Sequence, residues 1–252
     1  MEYSLQSLVA QAEEAGLAEA AIAGEIKHNG LTREGIIARM DEALQVMRQS
    51  AQRGFDPKLH SMSRMTGGQA AKLQSAVATG QTVGGDYLGR AAARALAIAE
   101  CNAAMGKIVA APTAGACGIL PAALLTAQEA YQLSDEALRN GLIVAAAIGE
   151  VIAARASISG AQGGCQAECG SAAAMAAAAL VYLRGGSPQQ SANACAFALM
   201  NVMGLVCDPV GGLVEVPCVY RNASGVAGAF VAADLALAGI PSPIPPDEVI
   251  DA

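Results

Sequence analysis

Ser171-Ala-Ala-Ala-Met-Ala-Ala-Ala-Ala-Leu-Val-Tyr-Leu183, then Gly185-Gly186, then Ser187-Pro188-Gln189-Gln190, is the stretch on which the fold turns. Alanine is the best helix former and carries the smallest side chain that still excludes water from a contact. A run of this kind reads as a helix over 171–183 that other helices approach closely. The two glycines stop it. Ser187 then offers an N-cap, Pro188 suits the first helical position, and Gln190 completes a capping box. The next helix therefore runs from 188 to about 204.

Outward from this pair the same grammar repeats. Residues 4–24 and 32–53 read as amphipathic helices. Asp86 is placed to cap a helix reaching Met105, which Gly106 ends, and Ser134 starts one reaching about Ala154. A last helix is expected over 223–238, followed by an extended Pro-Ser-Pro-Ile-Pro-Pro tail. Glycines concentrate in the breaks at 54–68, 112–118, 157–170 and 205–222, which read as loops that line a site. Pro112, Gly115, Gly118 and Pro121 interrupt the uncharged run 108–127, so it reads as a buried loop leading into a helix, not a membrane span. The expectation is an all-α chain with one catalytic domain over 1–252.

Composition agrees. Apolar residues make up 54% of the chain and aromatics 3%, with no Trp, so the core must pack through Ala, Leu, Val, Ile and Met. A formal net charge of −7 does not suit a nucleic-acid or anionic-membrane partner. The N-terminus shows no basic, apolar leader, and seven cysteines without a framework of pairs suit a reducing compartment, so a cytoplasmic protein is expected.

Three of those cysteines, Cys165, Cys207 and Cys218, stand out in glycine- and proline-rich segments: Gly-Gly-Cys165-Gln-Ala-Glu-Cys169-Gly, Leu-Val-Cys207-Asp-Pro-Val-Gly-Gly and Glu-Val-Pro-Cys218. Pro209 and Pro217 hold Cys207 and Cys218 on non-helical backbone. Three thiolates can hold an iron–sulfur cluster and leave one iron open. Zinc is the rival, but no Cys-x-x-Cys pair is present. Cys169 is a conceivable fourth ligand. Cys101 and Cys195 fall in helices and read as core. Cys117 sits in the 112–121 loop.

Thr66-Gly67-Gly68 and Thr113-Ala114-Gly115 are candidates for holding a substrate carboxylate through hydroxyl and backbone N–H donors. No base stands out. His60 has a suitable intrinsic pKa, His28 lies near an Asn-Gly turn, and Lys107 on an apolar stretch could be buried or paired with Glu100. Lys107 also allows a pyridoxal-phosphate reading, with the lysine as Schiff base and the glycines as phosphate cup.

Several of these strings resemble one family: Met-Thr66-Gly-Gly, Asn102-Ala-Ala-Met-Gly-Lys107-Ile-Val, Ala-Pro112-Thr-Ala-Gly115, Ala-Ser157-Ile-Ser-Gly, Gly-Gly-Cys165-Gln-Ala-Glu, Cys207-Asp-Pro-Val-Gly-Gly-Leu-Val-Glu-Val-Pro-Cys218 and Arg221-Asn222. The chain resembles the α subunit of the iron–sulfur-dependent L-serine dehydratases in their two-subunit bacterial form. The resemblance implies a [4Fe–4S] cluster on Cys165, Cys207 and Cys218, without Cys169. It also implies a separate β subunit and conversion of L-serine to pyruvate and ammonia. Ala114 stands here where single-chain relatives carry Asn. The same cluster chemistry on L-cysteine, and a scaffold subunit without activity, are the other readings.

Overall fold

Helix α9 (Ser171–Leu183) is the axis of the molecule: every residue from Ser171 to Val181 is buried. It is apolar all round, as a helix must be when no face meets water. Around it pack α6 (Ile119–Tyr131), α7 (Asp135–Arg155), α10 (Pro188–Met200) and α11 (Cys218–Leu237). The computed structural model describes residues 3–252, and no strand occurs among them. The all-α expectation holds.

A second layer is built on α5 (Gly85–Ala103), which packs against α3 (Arg33–Gly54), α4 (Gln69–Ala78), α6 and α11. The crossing of α3 and α5 is very close. A Cβ on Gly54 would stand 1.8 Å from the Ala97 carbonyl oxygen. Helices α1 (Leu5–Ala15) and α2 (Leu17–Asn29) cover one flank, and α12 (Pro246–Asp251) closes on α1. The Asp247 carboxylate accepts the N–H groups of Leu5 (2.7 Å) and Gln6 (3.0 Å), capping α1 from the far end of the chain. The four-residue helix α8 (Gly160–Gly163) and a π-helical turn (Gln166–Gly170) lead into α9.

Ser134 and Ser187 cap α7 and α10 as their sequences require, and Ser187 with Gln190 forms the full capping box. Other boundaries differ. The 4–24 helix is two helices, broken at Gly16, whose φ of 85° suits glycine. Asp86 lies inside the first turn of α5, where the N-cap is Gly84. Helix α10 stops at Met200, with turns over 201–204. Helix α11 begins five residues before the expected 223, with Cys218 as its first residue, because Pro217 precedes the helix without interrupting it. Cys218 is thus helical, not on irregular backbone. The tail is extended only to Pro245 and then forms α12.

Glycines are also not confined to the breaks. Gly54, Gly149 and Gly225 lie inside helices, where Ala97, Met175 and Ile119 come too near for a side chain. Helix α7 is the one helix among the described residues long and apolar enough to cross a bilayer, and 56% of that stretch is buried in the protein.

Candidate functional site

Three of the glycine-rich breaks meet at one end of α9. The Cys165 turn is held against the 204–207 segment by local bonds. Gln166 N–H donates to the Leu205 carbonyl (3.0 Å), and the Gln166 side-chain oxygen accepts from Gly204 N–H (2.7 Å). Gly164 lies so close that a Cβ there would be 2.9 Å from the Leu205 oxygen. Arg221, one turn into α11, ties the third piece in. Its Nη1 donates to the Val206 carbonyl (2.8 Å), and its guanidinium also hydrogen-bonds the Cys165 sulfur.

The sulfurs are not equivalent. Cys165 and Cys218 are buried and Cys207 is exposed. Cys165 and Cys169 stand 3.9 Å apart across the π turn. The hydrogen bond from Cys169 and the Arg221 cation outweigh burial and bring the Cys165 thiol down to about 6. The Cys169 thiol is pushed up by the same bond. Cys218 rises to about 11, through burial and then through the charges of Cys165 and Cys207. Cys165, Cys207 and Cys218 therefore lie in one another's electrostatic field. Among the described residues, no three His, Cys, Asp or Glu side chains stand together at metal-ligand spacing. The donor set nonetheless suits a soft metal centre: three thiols, one already acidic, beside a fixed cation. Cys101, Cys117 and Cys195 are fully buried, and burial raises the thiols of Cys117 and Cys195 to about 12. They pack as small apolar side chains.

Asn222 is completely buried and braces the 112–118 loop. Its Oδ1 accepts the Gly118 N–H (2.8 Å), and its Nδ2 donates to the carbonyls of Gly115 (2.8 Å) and Cys218 (2.9 Å). Asn102 donates to the Ala114 carbonyl (3.1 Å). The Thr113 hydroxyl in this loop is buried without a hydrogen-bond partner.

The other candidate loop spends its donors internally. Thr66 donates its hydroxyl to Glu215 (3.0 Å), as does Ser63 (2.9 Å to each oxygen). Burial acts to raise the Glu215 carboxyl, but hydrogen bonds from Ser61, Ser63 and Thr66 hold it below its usual range. Gly67 N–H donates to the Gln69 side chain (2.5 Å). Gly68 is the N-cap of α4, and the buried Glu100 carboxylate accepts the N–H groups of Gln69 and Ala70. Burial pushes Glu100 upward despite these bonds.

The candidate bases lie at the surface. His60 is exposed beside Gly67, His28 is at the end of α2 near the Tyr3 ring, and Lys107 is exposed, so neither the burial nor the Glu100 pairing considered for it occurs.

A family model described as "Serine dehydratase alpha chain" matches residues 5–252. The chain belongs to this family. It is 50% identical to "Probable L-serine dehydratase, alpha chain" of Bacillus subtilis over 94% of this chain and 78% of that one. It is 47% identical to "L-serine dehydratase, alpha chain" of Peptoniphilus asaccharolyticus, over 90% and 77%. Against "L-serine dehydratase" of Mycobacterium tuberculosis it is 49% identical over 58% of this chain, which is 32% of that longer protein.

Within the serine dehydratase frame, three residues gain a place that sequence reasoning gave them only as parts of motifs. Arg221-Asn222 was legible as a string, but not as the tie between Cys165, the 205–217 segment and the 112–118 loop. Glu168, in Gly-Gly-Cys165-Gln-Ala-Glu168, brings its carboxylate close to Gly115 of the 112–118 loop and to Gly160 of α8. No local pattern distinguishes such a residue from a solvated acid in a turn.

Proposed function

We propose that this chain is the catalytic α subunit of an L-serine dehydratase, converting L-serine to pyruvate and ammonia, with Cys165, Cys207 and Cys218 as ligands of a [4Fe–4S] cluster. The observation that carries the reading is the meeting of the Cys165 turn, the Cys207 segment and the Cys218 end of α11 around Arg221. Relatives of near 50% identity, each named as an α chain of L-serine dehydratase, support the reaction. When bound, the cluster would supply Lewis acidity toward the substrate hydroxyl, which is otherwise a poor leaving group.

The chain's own residues do the rest. The Thr113 hydroxyl, buried and without a partner, and the backbone donors of Thr113-Ala114-Gly115 receive the substrate carboxylate. Asn222 and Asn102 hold the Gly115 and Ala114 carbonyls, and the N–H groups of Thr113, Ala114 and Gly115 are left for the ligand. Thr66-Gly67-Gly68, the second candidate for the substrate carboxylate, is anchored by the Thr66 hydroxyl on Glu215 and by Glu100 at the start of α4. The Cys169 hydrogen bond and the Arg221 cation lower the Cys165 thiol, and Arg221 holds it next to the Cys207 segment. Loss of the α proton and of hydroxide gives an enamine. Its imine tautomer takes up water to yield pyruvate and ammonia. We assign a β subunit as partner, because the single-chain relative carries about three times the matched length in one polypeptide. Seven free thiols fit a cytoplasmic, reducing setting.

The test is anaerobic co-purification with the β subunit, with iron, acid-labile sulfide and serine-dependent pyruvate measured together. Cys165→Ser, Cys207→Ser and Cys218→Ser should each lose cluster and activity in parallel, while Cys195→Ser keeps both. Full activity in iron-free protein would overturn the cluster assignment.

A further inference from the structure

We propose that Glu168 receives the α-ammonium group of the amino-acid substrate and so selects a 2-amino acid over a 2-hydroxy acid. This rests on the function proposed above and adds the residue that reads the substrate's nitrogen.

Glu168 lies in the π turn between Cys165 and Cys169, half-buried. Its carboxylate is framed by bare backbone from the 112–118 loop and from the start of α8. A Cβ on Gly115 would stand 3.2 Å from each carboxylate oxygen, and one on Gly160 would stand 2.6 Å from Oε2. Among the described residues this carboxylate has neither a hydrogen bond nor an ion pair. The contrast with its neighbours is plain. Glu215 is saturated by hydroxyls and Glu100 by the N–H groups of α4. Arg221 is committed to Cys165 and the Val206 carbonyl. A half-buried carboxylate without a protein donor is left to water. It is stabilised when a ligand brings the donors.

The ligand's chemistry follows from the surroundings. An ionised carboxylate accepts and never donates, so a locus where it has no donor of its own favours a cationic ligand. A metal dication needs more carboxylate or imidazole partners than are gathered here. A primary ammonium suits the place: one charge and three N–H donors, one for each carboxylate oxygen and one for a backbone carbonyl. Thr113, two residues before Gly115, offers its unpartnered hydroxyl to the other end of the same small molecule. The ligand is thus held at its carboxylate by one side of the cradle and at its nitrogen by the other.

The test uses the anaerobic holoenzyme with its β subunit, and two probes: L-serine as substrate and L-glycerate, which carries hydroxyl in place of the ammonium group, as competitive inhibitor. Glu168→Gln should raise KM for L-serine about 10- to 100-fold, as loss of a charge-assisted contact does. L-Glycerate inhibition should stay within about threefold of wild type, with iron and sulfide content unchanged. Glu168→Asp should restore part of the preference for L-serine. Gly160→Ala keeps the acid but displaces it, and should lose preference in the same direction. Equal weakening toward both probes, or loss of iron in Glu168→Gln, would overturn the inference and make Glu168 a structural or cluster-supporting residue. If wild type forms no pyruvate from L-serine, the reaction assignment fails instead, and that outcome is separately visible.

Discussion

Replacing Asn222 by Ala should uncouple the 112–118 loop from α11, and the size of the effect can be worked from its bonds. The side chain is 0% exposed and makes three hydrogen bonds of 2.8, 2.8 and 2.9 Å. The bond to the Cys218 carbonyl is the least costly to lose, since that oxygen also accepts within the helix. The Gly118 N–H is different. Gly118 is buried, and its Cα packs so tightly on α5 that a Cβ would be 2.3 Å from the Ala95 oxygen, which leaves no route for a replacing water. An orphaned buried N–H costs about 1–3 kcal/mol and the lost Gly115 contact about 1 more. With the small cavity left by the amide, the expected loss is about 3–4 kcal/mol. That is a large share of the 5–15 kcal/mol typical of a whole domain. Urea titration followed by far-ultraviolet circular dichroism measures it. Asn222→Asp restores only the acceptor, sets a carboxylate against two carbonyls, and should be no better. A loss below about 1 kcal/mol for Asn222→Ala would show that these bonds do not hold the loop, and the argument would be wrong.

Two further outcomes follow from the packing and the electrostatics. Gly54→Ala puts a methyl 1.8 Å from a backbone oxygen of α5, so α3 must move away. The melting midpoint should fall by an amount equivalent to about 1–3 kcal/mol, and an unchanged midpoint would refute the close crossing. Glu215 has a depressed carboxyl. Its contribution is present above the unfolded value, about 4.3, and is lost as pH falls through the lower folded value. Glu215→Gln should therefore be less stable than wild type at neutral pH, with the difference shrinking on acidification. Urea midpoints across that range check this, and parallel curves would exclude it.

The sequence disclosed what is decided locally. Ser134 and Ser187 cap helices with their own hydroxyls, so those starts were readable from four residues. Helix α4 was not read, because its cap is the Glu100 carboxylate, supplied from 30 residues away. Cys218 was read as irregular because a proline before it looks like a stop, whereas proline there also permits a start. The glycines around Cys165 argued against a helix. The π turn forms nonetheless, since Leu205 and Gly204 satisfy Gln166 from another segment. Lys107 looked buried in an apolar string, yet exposure depends on which side of the loop faces the helices. The same holds for Glu168 and Thr113: the residue types were visible, and their lack of partners is a property of three dimensions only.

The alanine axis at α9 sets a rule for how this protein can drift. Where side chains are already a single methyl, the neighbouring helices rest almost on backbone, and any exchange for a bulkier residue must lever apart several helices at once. Variation should thus be tolerated at the periphery and refused along this spine. A saturation library would map the alanine positions of the spine as a strip where only glycine, serine or alanine survive, and that strip would end where the thiol-bearing turn begins.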